Sequence, residues 1–240
     1  MRNYFTFGSI DSRTYGVYIS GTGVFNAPDK EYDFISIPGR NGDLVGNLKR
    51  LSNIELTYPA FCYKNFQTNI RSLHSALLAV DGYAKLRDSY YSNEYRKAVY
   101  TGGSDTKPVD RLNAANFDLT FNCKPQRYLD SGDTVIVLNG TGSDADFSIS
   151  NPTEFASSPL IRVYGYGDVT VCGITATIVN VYPYIDIDCD IMDCFYGTTN
   201  ANAQVTFTGN NFPTIPPGAG AISIPGTVTK IELTPRWWRV

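Results

Sequence analysis

Histidine is nearly absent from this chain: His74 stands alone among 240 residues. No set of imidazoles can therefore ligate a metal, and any Ser/His/Asp or Cys/His triad has to use that single ring. Basic runs are missing too. No Lys/Arg run exceeds two adjacent residues, and 20 basic against 23 acidic residues leave a formal charge of −3 at pH 7, a poor basis for holding a phosphate backbone. No stretch approaches the ~20 apolar residues of a membrane span, and residues 1–8 lack the apolar core of a secretory signal. The chain is expected to be soluble, made in the cytosol and free of membrane insertion. The five cysteines, Cys62, Cys123, Cys172, Cys189 and Cys194, are odd in number and lack the paired spacing of a disulfide framework or zinc site. Buried free thiols are the expectation.

What the chain does have points to β structure. Its residues are 42% hydrophobic and 13% aromatic, with 17 tyrosines but two methionines, and Thr, Val and Ile are abundant. Its length suits two modest domains, each with its own core. One segment reads as a helix: after Asn65 as N-cap, Phe66, Ile70, Leu73, Leu77 and Val80 recur at spacings of three and four until Gly82. Alternation predicts strands at Ile54–Tyr58 and through Phe117, Leu119, Phe121 and Cys123. Residues 83–87 and 95–100 read as hairpin arms, and a loop rich in turn residues follows from Thr101 to Asp110. The composition shifts near residue 130, which places a boundary between domains at 1–129 and 130–240. Beyond it, short evenly spaced strands predict a sandwich or small barrel.

The most directive local signal is Ile37-Pro38-Gly39-Arg40-Asn41-Gly42-Asp43-Leu44, two turn dipeptides with Arg40 between them. Gly39, Gly42 and Gly46 with Lys49 have a superficial phosphate-loop spacing, but such a loop opens a helix and here a strand follows. Gly165-Tyr166-Gly167 lacks the third glycine and the helix of a dinucleotide site and reads as a hairpin turn. Asp186, Asp188, Asp190 and Asp193 form the one acidic cluster; the first three share a strand face, while Ile185, Ile187, Cys189 and Ile191 face the core. A hard cation would need more oxygens than one strand supplies, so a solvated face is expected. His74 is expected on the exposed side of its helix. Trp237 and Trp238, between Arg236 and Arg239, offer either a sugar-stacking platform or packing, with one ring inward and the other over an edge. No pair of carboxylates is singled out as acid and base, so no enzyme and no cofactor is predicted.

Taken together, several stretches resemble one family. Phe7-Gly8 with Tyr15-Gly16-Val17, the Ile37–Leu44 turn with Asn53-Ile54, and Phe121-Asn122-Cys123-Lys124-Pro125-Gln126-Arg127-Tyr128 mark the first half. Asn151-Pro152-Thr153, Pro159-Leu160-Ile161-Arg162-Val163-Tyr164-Gly165 and Pro235-Arg236-Trp237-Trp238 mark the second. The chain resembles the distal tail proteins, the Dit or phage-tail-component family, of long-tailed non-contractile bacteriophages. That resemblance implies a mostly β fold: a tube-protein-like β-sandwich with one helix and a protruding hairpin, then a galectin-like β-sandwich. It also implies a non-enzymatic virion protein at the tail tip, made in the host bacterial cytoplasm. Such a protein is a homo-hexameric ring open for DNA, without sequence-specific nucleic-acid binding. It joins the major tail tube protein to the tail-tip protein and to receptor-binding or adaptor proteins. Arg40, Asp43, Tyr83 and Tyr100 are the interface residues expected on this reading, with the 83–100 hairpin pairing across subunits. The alternative is a carbohydrate-binding tail module that contacts the host surface through Trp237 and Trp238, although the galectin sugar-binding set is missing.

Overall fold

A computed structural model describes residues 2–21, 26–109 and 113–240, and only the backbone of Asn47 and Lys49. Asp110, at the end of the expected loop, and the side chain of Lys49 lie outside the described residues. The chain divides into two compact units, Met1–Arg127 with Val240 and Tyr128–Arg239. The fold is mostly β, with one α-helix and several sheets.

The first unit contains β1 (Phe5–Phe7), β2 (Ile10–Asp11), β3 (Val17–Ile19), β4 (Lys30–Ile35), β5 (Leu44–Leu51), β6 (Ile54–Cys62), α1 (Phe66–Leu78), β7 (Ala84–Asp88), β8 (Glu94–Tyr100), β9 (Lys107–Val109) and β10 (Ala114–Leu129). Seven of these strands form a sheet in the order β2-β1-β7-β8-β10-β6-β3, and β9 adds to β10. The alternation that predicted β10 and β6 sets their register: Leu119 lies opposite Tyr58, Phe121 opposite Leu56 and Cys123 opposite Ile54. Their apolar faces meet the helix. Ile70, Leu73 and Leu77 are buried in the same core as Phe5, Phe7, Tyr58, Leu119 and Phe121, as the three-and-four spacing requires. Asn65 does occupy the N-cap position, but with a left-handed backbone (φ 46°) and no side-chain cap bond; its Oδ1 instead accepts from Asn113 Nδ2 at 3.2 Å.

The 83–100 hairpin forms, as β7 paired with β8. It does not protrude. β7 is also paired to β1 and β8 lies next to β10, so both outer edges are already used and neither can pair with another chain. The exposed hairpin is β4–β5, a two-stranded sheet of its own.

The second unit contains β11 (Ile136–Asn139), β12 (Ala145–Asn151), β13 (Leu160–Gly165), β14 (Gly167–Val171), β15 (Ile174–Ile178), β16 (Ile185–Asp188), β17 (Asp193–Tyr196), β18 (Thr199–Asn200), β19 (Val205–Phe207), β20 (Gly218–Ile224), β21 (Val228–Thr234) and β22 (Trp238–Arg239). Two sheets, β11-β21-β13-β16-β17-β18 and β12-β20-β14-β15-β19, share one core. Ile161, Val163, Ile187 and Ile231 from the first meet Val169, Val171, Ile178 and Ile222 from the second, which makes a sandwich. Gly165-Tyr166-Gly167 is not a hairpin turn: it carries the chain from one sheet to the other, because β13 and β14 belong to different sheets. Gly165 has φ 127°, and a Cβ there would stand 2.4 Å from the Thr227 carbonyl oxygen. Only glycine fits that crossing.

Candidate assembly interface

The β4–β5 ribbon is the most unusual surface of the first unit. Phe34 pairs with Val45 and Ile35 with Leu44, so the two pairs fall on opposite faces. All are exposed: Phe34 63%, Val45 53%, Ile35 49% and Leu44 52%, with Tyr32 and Leu48 similarly open. A two-stranded ribbon in water is marginal even with one face covered, and contiguous exposed apolar surface marks an interaction site. Here both faces are apolar and open. The base of the ribbon is held by Asn26 Nδ2 donating to the Glu55 carbonyl at 2.7 Å and by Ser52 N–H donating to the Asp29 carbonyl at 2.9 Å.

The predicted double turn caps this ribbon. Arg40 N–H donates to the Ile37 carbonyl at 3.2 Å, with Gly39 at φ 79°. That is a type II turn, with Pro at its first central position and Gly at its second. Arg40 and Asp43 are exposed at the tip. Neither forms an ion pair among the described residues. Tyr83 is 49% exposed, with its hydroxyl accepting from Asn53 Nδ2 at 3.0 Å and Lys124 Nζ 5.3 Å from its ring centre. Tyr100, expected at the interface, is instead 8% exposed, its ring 5.4 Å from Phe121 in the core, and it offers no interface surface.

The remaining sequence candidates resolve as packing. His74 is half-buried rather than exposed. Its ring meets Phe117 edge-on at 5.9 Å, and its Nε2 lies 3.0 Å from Ser104 Oγ. Burial holds its pKa below the ordinary value, and no carboxylate orients the ring among the described residues, so the pair lacks the third member of a triad. The acidic strand face is not solvated. Arg162 Nε and Nη2 grip Asp186 at 2.6 and 2.9 Å, and Arg236 Nη1 and Nη2 grip Asp188 at 2.6 and 2.8 Å. Burial pushes the Asp188 carboxyl up, but the Arg236 guanidinium outweighs it and the net shift is downward. Asp190 is exposed, and Asp193 accepts from Asn202 Nδ2 at 2.6 Å. Ile191 is 62% exposed, because the strand ends at Asp188. Trp237 is 5% exposed in the second core. Trp238 stacks on Phe155 at 4.5 Å and donates Nε1–H to the Ala156 carbonyl at 3.0 Å.

Neither protein-family models nor curated protein sequences match this chain. Solved structures do match. The Dit protein of SPP1, described as a paradigm of the hub adsorption apparatus of phages infecting Gram-positive hosts, superposes with a TM-score of 0.70 at 13% identity, covering 97% of this chain and 98% of that one. The chain has the Dit fold. A chain of the phage P2 baseplate in its activated conformation with Ca gives a TM-score of 0.51 at 13% identity, with 97% of each chain covered.

Within that fold, two features escaped the sequence reading. The second arm of the ribbon was one: an extended run at Asp33–Ile37 leads into the turn, but β5, Leu44-Val45-Gly46-Asn47-Leu48-Lys49-Arg50-Leu51, does not alternate cleanly and comes before the strand expected at Ile54. The other is a buried charged layer in the first unit. Arg127 Nη1 lies 3.5 Å from Glu94 Oε2, Arg96 Nη1 donates to the Pro125 carbonyl at 3.1 Å, and Tyr58 donates its hydroxyl to Asp88 at 2.7 Å. Burial, with the nearby Asp88 charge, raises the Tyr58 phenol well above its usual value. Glu94 and Arg96 are residue types that ordinarily face solvent, and only their burial, 5% and 4% exposed, marks the layer.

Proposed function

We propose that this chain is a structural protein of a phage tail baseplate, a hub that assembles as a homo-hexameric ring. The observation that carries the reading is the likeness to SPP1 Dit along essentially the whole of both chains. In this assembly the first unit forms the ring, and the β4–β5 ribbon lies on the next copy, with its tip residues Arg40 and Asp43 at the contact. The apolar faces of the ribbon supply the reason: they need a cover that the isolated chain does not give them. A head-to-tail contact of this kind closes into a ring when its rotation divides a full turn.

The second unit is the peripheral, galectin-like sandwich that carries receptor-binding or adaptor proteins. The ring joins the major tail tube protein to the tail-tip protein and leaves a channel for DNA. With a net charge of −3, the chain as a whole has little pull on duplex phosphates. The carbohydrate-binding alternative draws no support from the tryptophans, since Trp237 lies in the core and one face of Trp238 is taken by Phe155.

Negative-stain electron microscopy of the purified chain tests the proposal. Class averages should show six-fold rings with a central opening. Dispersed particles, or rings of another order, would overturn it.

A further inference from the structure

The free edges of the second sandwich differ in how they are guarded. β18 and β19 are only two and three residues long, and β12 carries Asp146 on its edge with Asp144 just before it. Short strands and charges are the usual means of keeping an edge from pairing. β11 has neither. The run Thr134-Val135-Ile136-Val137-Leu138-Asn139 contains no charge, no proline and no glycine, and its pairing to β21 shows no bulge. Val135 and Val137 are 49% and 50% exposed.

The register decides which backbone groups face outward. Gly140 N–H donates to the Thr229 carbonyl at 2.9 Å. Continuing that register, Leu138 opposite Ile231 and Ile136 opposite Leu233 are the hydrogen-bonded pairs of the antiparallel ladder. Val137 and Asn139 then direct both N–H and C=O away from β21. β11 ends its sheet, so this row of donors and acceptors has no strand beside it among the described residues.

On the neighbouring strand β21, Lys230 opposite Asn139 and Glu232 opposite Val137 pair with each other at 2.7 Å, and the charge that flanks β11 along the chain has one sign. From Tyr128 to Ile161 the chain contains no Lys or Arg, but does contain Asp130, Asp133, Asp144, Asp146 and Glu154. Two of the acids precede β11 and two follow it within a few residues. A second copy of the same edge would bring acids against acids and bury only one short strand per copy, well below the area of a stable dimer. An apolar segment with basic ends meets complementary charge at both ends.

We propose that β11 is a strand-acceptor site: a partner protein donates an extended, β-branched, uncharged segment flanked by Lys or Arg, which adds as a seventh strand to the six-stranded sheet. Main-chain bonds to Val137 and Asn139 hold it, Val135 and Val137 select β-branched neighbours on the outer face, and the flanking acids select its basic ends.

The test uses the full chain and the probe peptide Lys-Lys-Thr-Val-Thr-Val-Thr-Lys-Lys. NMR titration should saturate below roughly 1 mM, with shifts centred on Val135–Asn139 and the Val137 amide exchanging at least tenfold more slowly in the complex. Val137→Pro removes an outward donor without costing a bond to β21, so it should keep the native spectrum and weaken binding about tenfold or more. Replacing the peptide lysines by glutamates should weaken it at least as much. No saturable shift, shifts centred elsewhere, or binding indifferent to Val137→Pro would overturn the proposal. A dimer of the chain alone that Val137→Pro abolishes would also overturn it, by assigning the edge to a second copy.

Discussion

Replacing Phe34 by Ser should break assembly while leaving the subunit folded. An aromatic side chain buries on the order of 200 Å², and Phe34 is 63% exposed in the single chain. Roughly 125 Å² therefore remains to be covered, worth about 3 kcal/mol at ~25 cal/mol per Å². That amounts to about two orders of magnitude in the association constant of each contact. The cost to the subunit is small, because a mostly exposed side chain contributes little to its own core and surface changes usually stay within about 0.5 kcal/mol. The assay is sedimentation velocity over a concentration series, with thermal unfolding measured at a concentration where both proteins are monomeric. Assembly should shift to at least ~100-fold higher concentration, and the melting temperatures should agree within a few degrees. Wild-type assembly at the same concentrations in the variant would refute the reasoning. So would a large loss of subunit stability, which would make the ribbon a folding element rather than a contact.

Other outcomes follow from the two cores. Asp188→Ala strands the Arg236 guanidinium, which Asp188 grips through two bonds, and should cost about 3 kcal/mol in urea unfolding, whereas Asp190→Ala, at an exposed site, should cost little. The Asp188 carboxyl lies below its ordinary value of 3.8 in the folded protein. The pair's stabilisation is therefore complete above that value and fades as pH falls through the folded one, so acid unfolding of Asp188→Asn should show a weaker pH dependence there than wild type. Gly165→Ala forces a methyl group to 2.4 Å from the Thr227 carbonyl at positive φ, and should destabilise the chain by more than about 2 kcal/mol. Burial pushes the Cys123 and Cys194 thiols up to about 12, so a thiol reagent at pH 8 should modify half-buried Cys172 first in the native protein and reach the others only on unfolding.

How far the sequence could be read depended on whether a segment's partners were local. β10 was legible because Phe117, Leu119, Phe121 and Cys123 alternate against polar neighbours on a half-buried strand, and α1 because one face of it is apolar. The turn at Pro38-Gly39 was legible because those two residues dictate φ themselves. What failed was the environment of each face. Asp186 and Asp188 alternate as a solvated strand would, but their cover comes from Arg162 and Arg236, 24 and 48 residues away. The 83–100 hairpin was seen, but not its place between β1 and β10, which closes both edges. Tyr100 and Tyr83 bracket that hairpin alike in sequence, yet one faces the core and the other solvent. In the ribbon the turn was legible and β5 was not, since Leu44-Val45-Gly46-Asn47-Leu48 does not alternate towards a core of its own.

Native mass spectrometry of the purified full chain tests the central claim most directly. Six copies of 26.5 kDa make a species of about 159 kDa, and this should dominate at micromolar concentration and disappear in the Phe34→Ser variant. A chain that remains at 26.5 kDa across the concentration range, or an oligomer that survives loss of the ribbon's apolar face, would contradict it.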